Sequence, residues 1–407
     1  MKFPGFLGLF LLIVRAIHAS DSHCKNGICE KVSLSLANDT KQNSALVGYV
    51  IVTFNSLWNW KQCFNLCVKN CQCLSFNFNE VNATENCELN DANTKVEPEA
   101  LREKEGVSYY ELVRNYYDMK VRNLSNTWFE RPQSSPIRPK GASQQTCPES
   151  DCQSNCCHSA LCQNGGTCRD VCHANKRRYS CTCPEGFSGH RCQLKVRSCR
   201  EILLGDKVKT NGFYSVFDKE DILFQAYCDF GSEPNFAWTL IMSYSFQNRG
   251  TFSKKPFYLY DLQINQDAHQ WDNYRLSLSR MQSIRNTSTH WRATCNFATK
   301  TMDYRDYIRT SFANTDFLVT PDGNRCIRYE FVDIRGNRCQ NCTVYSPYNP
   351  NFDYHIDSWW GNFCDFTART GGVEDEDNFG FYLTWNTAFG CSSTQTSTTE
   401  YWIGGHT

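Results

Sequence analysis

The side chains with chemistry to offer are first of all thiols, 25 cysteines in 407 residues. Two reactions are open to them: thiolates bind zinc in closely spaced pairs, and thiols oxidise to disulfides. Cys71-x-Cys73, Cys181-x-Cys183 and Cys339-x2-Cys342 have the spacing of metal-binding pairs. The N-terminus decides between the two. Lys2 and an apolar run from Phe3 to Val14 lead to small residues around Ala16, Ala19 and Ser20, the pattern of a secretory signal peptide over residues 1–20. A chain sent to an oxidising compartment uses its cysteines as bridges. Their odd total leaves at least one thiol free or joined to another chain, so an intermolecular disulfide is one of the expected contacts.

Catalytic patterns are missing. The chain has no His-Glu-x-x-His, no Gly-x-Ser-x-Gly, no P-loop and no dinucleotide fingerprint, and nothing local arranges its nine histidines for catalysis. A non-enzymatic protein is expected. Glu374-Asp375-Glu376-Asp377 raises the local cation density and is the calcium candidate. Consecutive side chains rarely converge on one ion, so a solvated loop is favoured and no cofactor is expected. Trp359-Trp360 offers a stacking face for a sugar, with burial in a core as the alternative. Lys176-Arg177-Arg178 reads as an exposed loop. Sequons at Asn38, Asn82, Asn123, Asn286 and Asn341 predict surface positions and glycosylation, the last with Cys342 as its middle residue. Basic and acidic residues balance at 42 each, which excludes the field of a nucleic-acid binder. Beyond the signal no apolar run is long enough to span a bilayer, so no membrane anchor is expected.

The cysteines fall in three clusters: seven from Cys24 to Cys87, ten from Cys147 to Cys192 and eight from Cys199 to Cys391. Residues 114–146 separate the first two and carry Pro132, Pro136 and Pro139, the composition of an exposed linker. In the first cluster Trp60, Cys63, Phe64 and Cys67 recur at i, i+3, i+4 and i+7, one face of a helix. Leu74, Phe76 and Phe78 alternate with Ser75, Asn77 and Asn79, and Val50, Val52 and Phe54 show the same period, so half-buried strands flank that helix. A helix stapled onto an antiparallel sheet, an α+β module over residues 21–113, resembles the PAN/apple family. That resemblance implies the bridges Cys63–Cys87 and Cys67–Cys73, and leaves Cys24, Cys29 and Cys71 outside the pattern.

In the second cluster Cys157, Cys162, Cys168, Cys181, Cys183 and Cys192 are separated by four, five, twelve, one and eight residues. Gln163-Asn164-Gly165-Gly166-Thr167 and Pro184-Glu185-Gly186-Phe187-Ser188-Gly189 supply turns in which glycine takes positive φ. Residues 147–193 resemble a small all-β EGF-like domain with a cysteine-rich N-terminal extension. The resemblance implies Cys157–Cys168, Cys162–Cys181 and Cys183–Cys192, with Cys156 as an alternative to Cys157. An extra bridge is expected from Cys172 back to the extension that carries Cys147, Cys152 and Cys156. Gln153-Ser154-Asn155 precedes the first cysteine where calcium-binding modules place carboxylates, so this module reads as calcium-free.

Residues 194–407 open with Cys199, Gly212-Phe213-Tyr214, Tyr227-Cys228-Asp229 and Trp238-Thr239-Leu240-Ile241. That order resembles the start of a fibrinogen C-terminal domain, an α+β module, and implies Cys199–Cys228. The family's later calcium loop and ligand-pocket motif have no counterpart here. The order of the three modules is similar to secreted matrix proteins of corals and sea anemones, including the skeletal organic matrix. The resemblance implies an adhesion and recognition glycoprotein of the extracellular matrix whose partners are extracellular proteins or glycans. A soluble fibrinogen-like lectin that binds glycans or acetylated ligands in innate defence is the alternative.

Overall fold

The structure is a computed structural model and describes residues 18–25, 28–35, 38–81, 84–118, 156–158, 161–171, 177–205, 209–300, 302–319, 325–348, 354–357, 363–367, 377–380, 382 and 385–406. It divides into two compact units, Met1–Thr182 and Cys183–Thr407.

The first unit opens with β1 (His18–Lys25) and β2 (Ile28–Ser35). There follow β3 (Thr40–Lys41), β4 (Ser44–Leu46), β5 (Val50–Phe54), helix α1 (Trp60–Lys69), β6 (Ser75–Asn79) and β7 (Cys87–Asn90). The segment closes with β8 (Leu101–Glu103), β9 (Val107–Glu111) and β10 (Val113–Asp118). A five-stranded sheet runs β3-β9-β6-β7-β5, beside a three-stranded sheet β1-β2-β10 and the ribbon β4-β8. Helix α1 starts where the Asn59 side chain accepts the Lys61 and Gln62 N–H groups, which are otherwise orphaned in a first turn. Its buried face is Cys63, Phe64, Cys67 and Val68, the spacing of one helical stripe. Bridges from Cys63 to Cys87 and from Cys67 to Cys73 hold that face on the sheet, over a core that includes Phe76, Phe78, Leu89 and Tyr110.

Two expectations are modified here. The alternation along β6 predicts one wet face, yet Ser75 and Asn77 are as buried as Phe76. The second face is covered: Asn77 donates to Leu46 O at 3.0 Å and accepts from Leu46 N at 2.9 Å, and Ser75 donates to Ala92 O at 2.6 Å. Buried polar groups persist because each is paired. The strand β10 also carries the module past residue 113 to Asp118, where residues 114–118 pair with β2 instead of starting a linker.

Within the same unit, β11 (Thr167–Asp170) pairs with β12 (Tyr179–Thr182), placing Cys168 opposite Cys181. Cys157 is bonded to Cys168 and Cys162 to Cys181, while Cys156 is bonded to Cys71, 85 residues earlier. The Cys156 and Cys157 N–H groups share Asp170 Oδ1 at 2.9 and 3.2 Å, and Arg177 Nε donates to Asp91 O at 2.9 Å. A chain cut by protease anywhere between residues 119 and 155 is therefore expected to run as one species on a non-reducing gel and as two after reduction. A C71S/C156S chain cut in the same way should fall apart without reductant, and a species that stays joined would contradict the bridge.

The second unit begins inside the cysteine-rich segment, with Cys183–Cys192 bridged and β13 (Phe187–Ser188) paired with β14 (Leu194–Lys195). Within this unit Val196 N donates to Gly186 O at 2.8 Å, Phe217 N donates to Val196 O at 2.7 Å, and the Phe187 ring meets Phe217 edge-on at 5.1 Å. Then come helix α2 (Cys199–Gly205), β15 (Gly212–Phe217), β16 (Leu223–Asp229), β17 (Phe236–Ser245), helix α3 (Arg249–Phe252) and β18 (Asn273–Arg275). Helix α4 (Leu278–Asn286) leads to β19 (His290–Cys295), β20 (Tyr307–Ser311), β21 (Arg325–Ile334) and β22 (Asn337–Ser346). The short pair β23 (Ile356–Asp357) and β24 (Asp377–Asn378) precedes β25 (Thr398–His406).

One antiparallel sheet runs β15-β16-β17-β25-β19-β20-β21-β22, with β18 added on β17. The last strand is thus inserted between two earlier ones, which makes the unit's core strongly non-local. Trp238, Trp291 and Trp402 are fully buried on these central strands. At Gly404 a Cβ would lie 1.9 Å from Ala237 O, so only glycine lets the two strands approach there. Cys199–Cys228, Cys295–Cys391, Cys326–Cys364 and Cys339–Cys342 are bridged.

Candidate functional site

The most developed site lies in the second unit, where the loops after β16 and β19 meet the loop before β18. There a cleft of about 570 Å³ has aromatic walls from Tyr227, Trp271 and Phe297 and a polar rim from Asn211, Ser232 and Lys300. Trp271 and Phe297 lie 6.0 Å apart at 28°, and Tyr227 meets Trp271 edge-on at 5.0 Å. All three rings remain half-buried, whereas Trp402 behind them, 4.5 Å from Phe297, is fully buried. His269 packs edge-on against Trp271 at 4.7 Å, and burial drives its pKa down to about 4, so it is a neutral ring in that stack. A second hollow of about 260 Å³ shares Phe297, Lys300 and Met302 with the first and extends toward Tyr304 and Gly390.

Charges buried beneath the cleft hold it in shape. Arg292 on β19 has no exposed surface, and neither has its partner Asp229 at 2.6 Å. The guanidinium also donates to Ser232 Oγ at 2.9 Å and reaches Glu233 at 3.4 Å. It is boxed by the rings of Trp238 at 4.7 Å, Trp402 at 4.9 Å and Phe297 at 5.6 Å, cation–π contacts that count for more when desolvated. Burial by itself would raise the Asp229 carboxyl, but the Arg292 charge and hydrogen bonds from Ser232 and Arg292 outweigh it and hold the group below its ordinary range. Asp229 in turn accepts from Asn211 Nδ2 at 2.7 Å, and Asn211 Oδ1 accepts from the Phe230 and Gly231 N–H groups at 2.8 and 3.1 Å. Two of the three rim side chains are therefore fixed by one buried ion pair. The network continues outward, as Glu233 accepts from Trp238 Nε1 and the Tyr307 hydroxyl, each at 3.0 Å, and pairs with Arg309, which also holds Glu330 at 2.9 Å.

A second buried carboxyl stands behind the wall. Glu400 on β25 accepts from Thr294 Oγ1 at 2.7 Å, from the Thr398 hydroxyl and from the Phe297 N–H at 3.2 Å. Burial pushes it up to about 7 against the pull of those hydrogen bonds. None of these groups was singled out in the sequence as a site. Asp229 appears there only inside the run Tyr227-Cys228-Asp229.

The family match lies elsewhere in the chain. Residues 37–114 match the family described as the PAN domain. This segment is a PAN domain. Such domains are non-catalytic extracellular modules of adhesion and protein interaction. Three short likenesses accompany it. Protein lin-12 of Caenorhabditis elegans is 42% identical over 45 residues, 11% of this chain and 3% of lin-12. Toxin Bcs III 15.09 of Bunodosoma caissarum is 52% identical over 33 residues, 8% of this chain and 69% of the toxin. OMEGA-stichotoxin-Shd4a of Stichodactyla haddoni is 49% identical over 37 residues, 9% of this chain and 41% of that protein. Each likeness is confined to its short stretch.

The PAN domain contains the pairs Cys63–Cys87 and Cys67–Cys73, and its Cys71 leaves it for Cys156. Trp58, just before α1, is 90% exposed and is the most open large apolar side chain described. The cysteines considered for zinc take separate disulfide partners, except Cys339 and Cys342, which bond to each other. Among the described residues no cluster of three His, Cys, Asp or Glu could hold a metal ion, and no helix is long and apolar enough to cross a membrane.

Ten disulfides are described. The other cysteines of the 25 are Cys24, Cys29, Cys147, Cys152 and Cys172, whose side chains lie outside the described residues. The sequons at Asn38, Asn286 and Asn341 present exposed asparagines, while Asn82 and Asn123 lie outside the described residues. So do residues 1–17, Lys176, Trp359-Trp360, Glu374 to Glu376 and the Asp377 side chain. The aromatic surface that the structure does display is Trp271 with Phe297.

Proposed function

We propose that the protein is a secreted, non-enzymatic glycoprotein of the extracellular matrix that works by adhesion and recognition. The observation that carries this reading is the PAN domain bonded through Cys71–Cys156 to a segment in which Cys157 pairs with Cys168, Cys162 with Cys181 and Cys183 with Cys192. That connectivity supports an EGF-like module after the PAN domain, and Cys199–Cys228 with the strands around it supports a divergent fibrinogen-like module after that. Disulfides make the small EGF-like module rigid without a large core. Weak contacts on separate modules then add through effective concentration. The resemblance that the order of modules suggests, to matrix proteins of corals and sea anemones, extends the proposal to a matrix occluded in mineral.

The test is expression of the full chain in secreting animal cells, followed by fractionation. Export, a mobility shift on removal of N-glycans and retention in the salt-washed insoluble layer are the expected results. Retention of the chain inside the cell would overturn the reading. The aromatic cleft favours a second reading, a soluble fibrinogen-like lectin, for which the exported chain would stay in the medium and bind glycans there.

A further inference from the structure

The cleft of Tyr227, Trp271 and Phe297 has features that point to a ligand class. Its walls are ring faces, its size suits one or two sugar rings, and its rim is polar. Sugars present apolar C–H faces to aromatic rings and hydroxyl edges to polar groups, so such a combination fits them better than it fits an aliphatic ligand. The rim is also one-sided in its hydrogen bonding. Asn211 Oδ1 is already taken by two backbone N–H groups, and Asn211 Nδ2 spends one of its two hydrogens on Asp229. Ser232 is occupied by Asp229 and Arg292.

What remains is one Asn211 N–H and the ammonium of Lys300, an exposed side chain with no ion-pair partner among the described residues. Lys300 carries the only full charge among the side chains described as lining this cleft, and the carboxylate beneath, Asp229, is neutralised by Arg292. Surplus donors and one net positive charge call for an acceptor-rich, anionic group.

We propose that this cleft binds an acidic saccharide, with a sugar face laid on the Trp271 and Phe297 rings and a carboxylate or sulfate held by Lys300. Asp229 and Arg292 act as positioning residues, since they fix Asn211 and Ser232 without reaching the ligand themselves. The inference rests on the recognition role proposed above and names the chemistry recognised.

The experiment titrates the full secreted chain with a chondroitin sulfate hexasaccharide and, separately, with the uncharged hexasaccharide of N-acetylglucosamine. The acidic sugar should bind at least about tenfold more tightly than the neutral one, with an affinity that falls as salt rises. Lys300→Gln should erase that preference and its salt dependence. Trp271→Ala should weaken both sugars about tenfold or more, a typical loss for one stacking platform. Lys300 is exposed, so its variant keeps the fold and separates binding from stability. Wild-type protein that binds neither sugar would overturn the proposal, as would Lys300→Gln behaving like wild type, the result expected if the cleft takes a peptide side chain instead. A chain that is exported but binds no sugar defeats only this inference. Failure of export defeats the extracellular reading, whatever the titration gives.

Discussion

Replacing Arg292 with methionine is expected to destabilise the second unit by about 3–5 kcal/mol, the loss seen when one partner of a buried ion pair is removed. The cause is what stays behind. Asp229 has no exposed surface, and without the guanidinium its carboxylate keeps hydrogen bonds from Asn211 and Ser232 but no opposite charge in contact. Glu233 loses a contact as well, though Arg309 still pairs with it. Methionine fills much of the same volume between Trp238 and Trp402, so the loss reports charge and hydrogen bonding more than a cavity. The check is urea unfolding of the intact, oxidised chain followed by near-ultraviolet circular dichroism. The double variant D229N/R292M should lose less than the two single variants added together, because no carboxylate is stranded in it. A cost below about 1 kcal/mol for R292M would show that water reaches Asp229 and that the pair is a surface interaction.

Legible in the sequence are the contacts that close within a few residues. Trp60, Cys63, Phe64 and Cys67 mark a helix because their period is local, and α1 buries three of the four. The same holds for the turn at Asn164 and Gly165, where both residues take positive φ of 52° and 79°. Arg292 shows where this stops. In the run Trp291-Arg292-Ala293 a strand's period of two sets the arginine opposite Trp291, on a face that would ordinarily be wet. That face is dry because Trp238 on β17 and Trp402 on β25 cover it, residues far from Arg292 on either side in the chain. Asn211, Tyr227, Trp271 and Lys300 likewise come from four separate segments, and the late insertion of β25 gathers the strands that carry them. The covering of Asn77 by β4 and of Ser75 by the segment at Ala92 is a smaller case of the same effect, partners too remote in sequence for period to reveal.

Glu400 is expected to withdraw stability from the second unit as pH rises from about 4.5 through 7, against the opposite contribution of His269, whose folded pKa of about 4 lies below its ordinary 6.5. Burial lifts the folded pKa of Glu400 to about 7 from an ordinary 4.5, so the folded state binds this proton more tightly than the unfolded chain does. A raised carboxyl therefore contributes fully below 4.5 and loses its contribution as pH climbs past 7, where the fold must carry a buried carboxylate at a cost of about 3 kcal/mol. Glu400→Gln removes the titration and keeps a side chain able to accept the Phe297 N–H. The variant should match wild type near pH 4.5 and exceed it in urea midpoint at pH 8, with the gap between the two widening across that interval. An unchanged gap would mean that the group titrates near its ordinary value. Ionisation also strengthens the hydrogen bond that the carboxyl accepts from Phe297 N–H, since charged acceptors bind N–H more tightly. At neutral and higher pH the second unit thus gives up stability at Glu400 while the backbone behind the cleft's Phe297 wall is held more firmly.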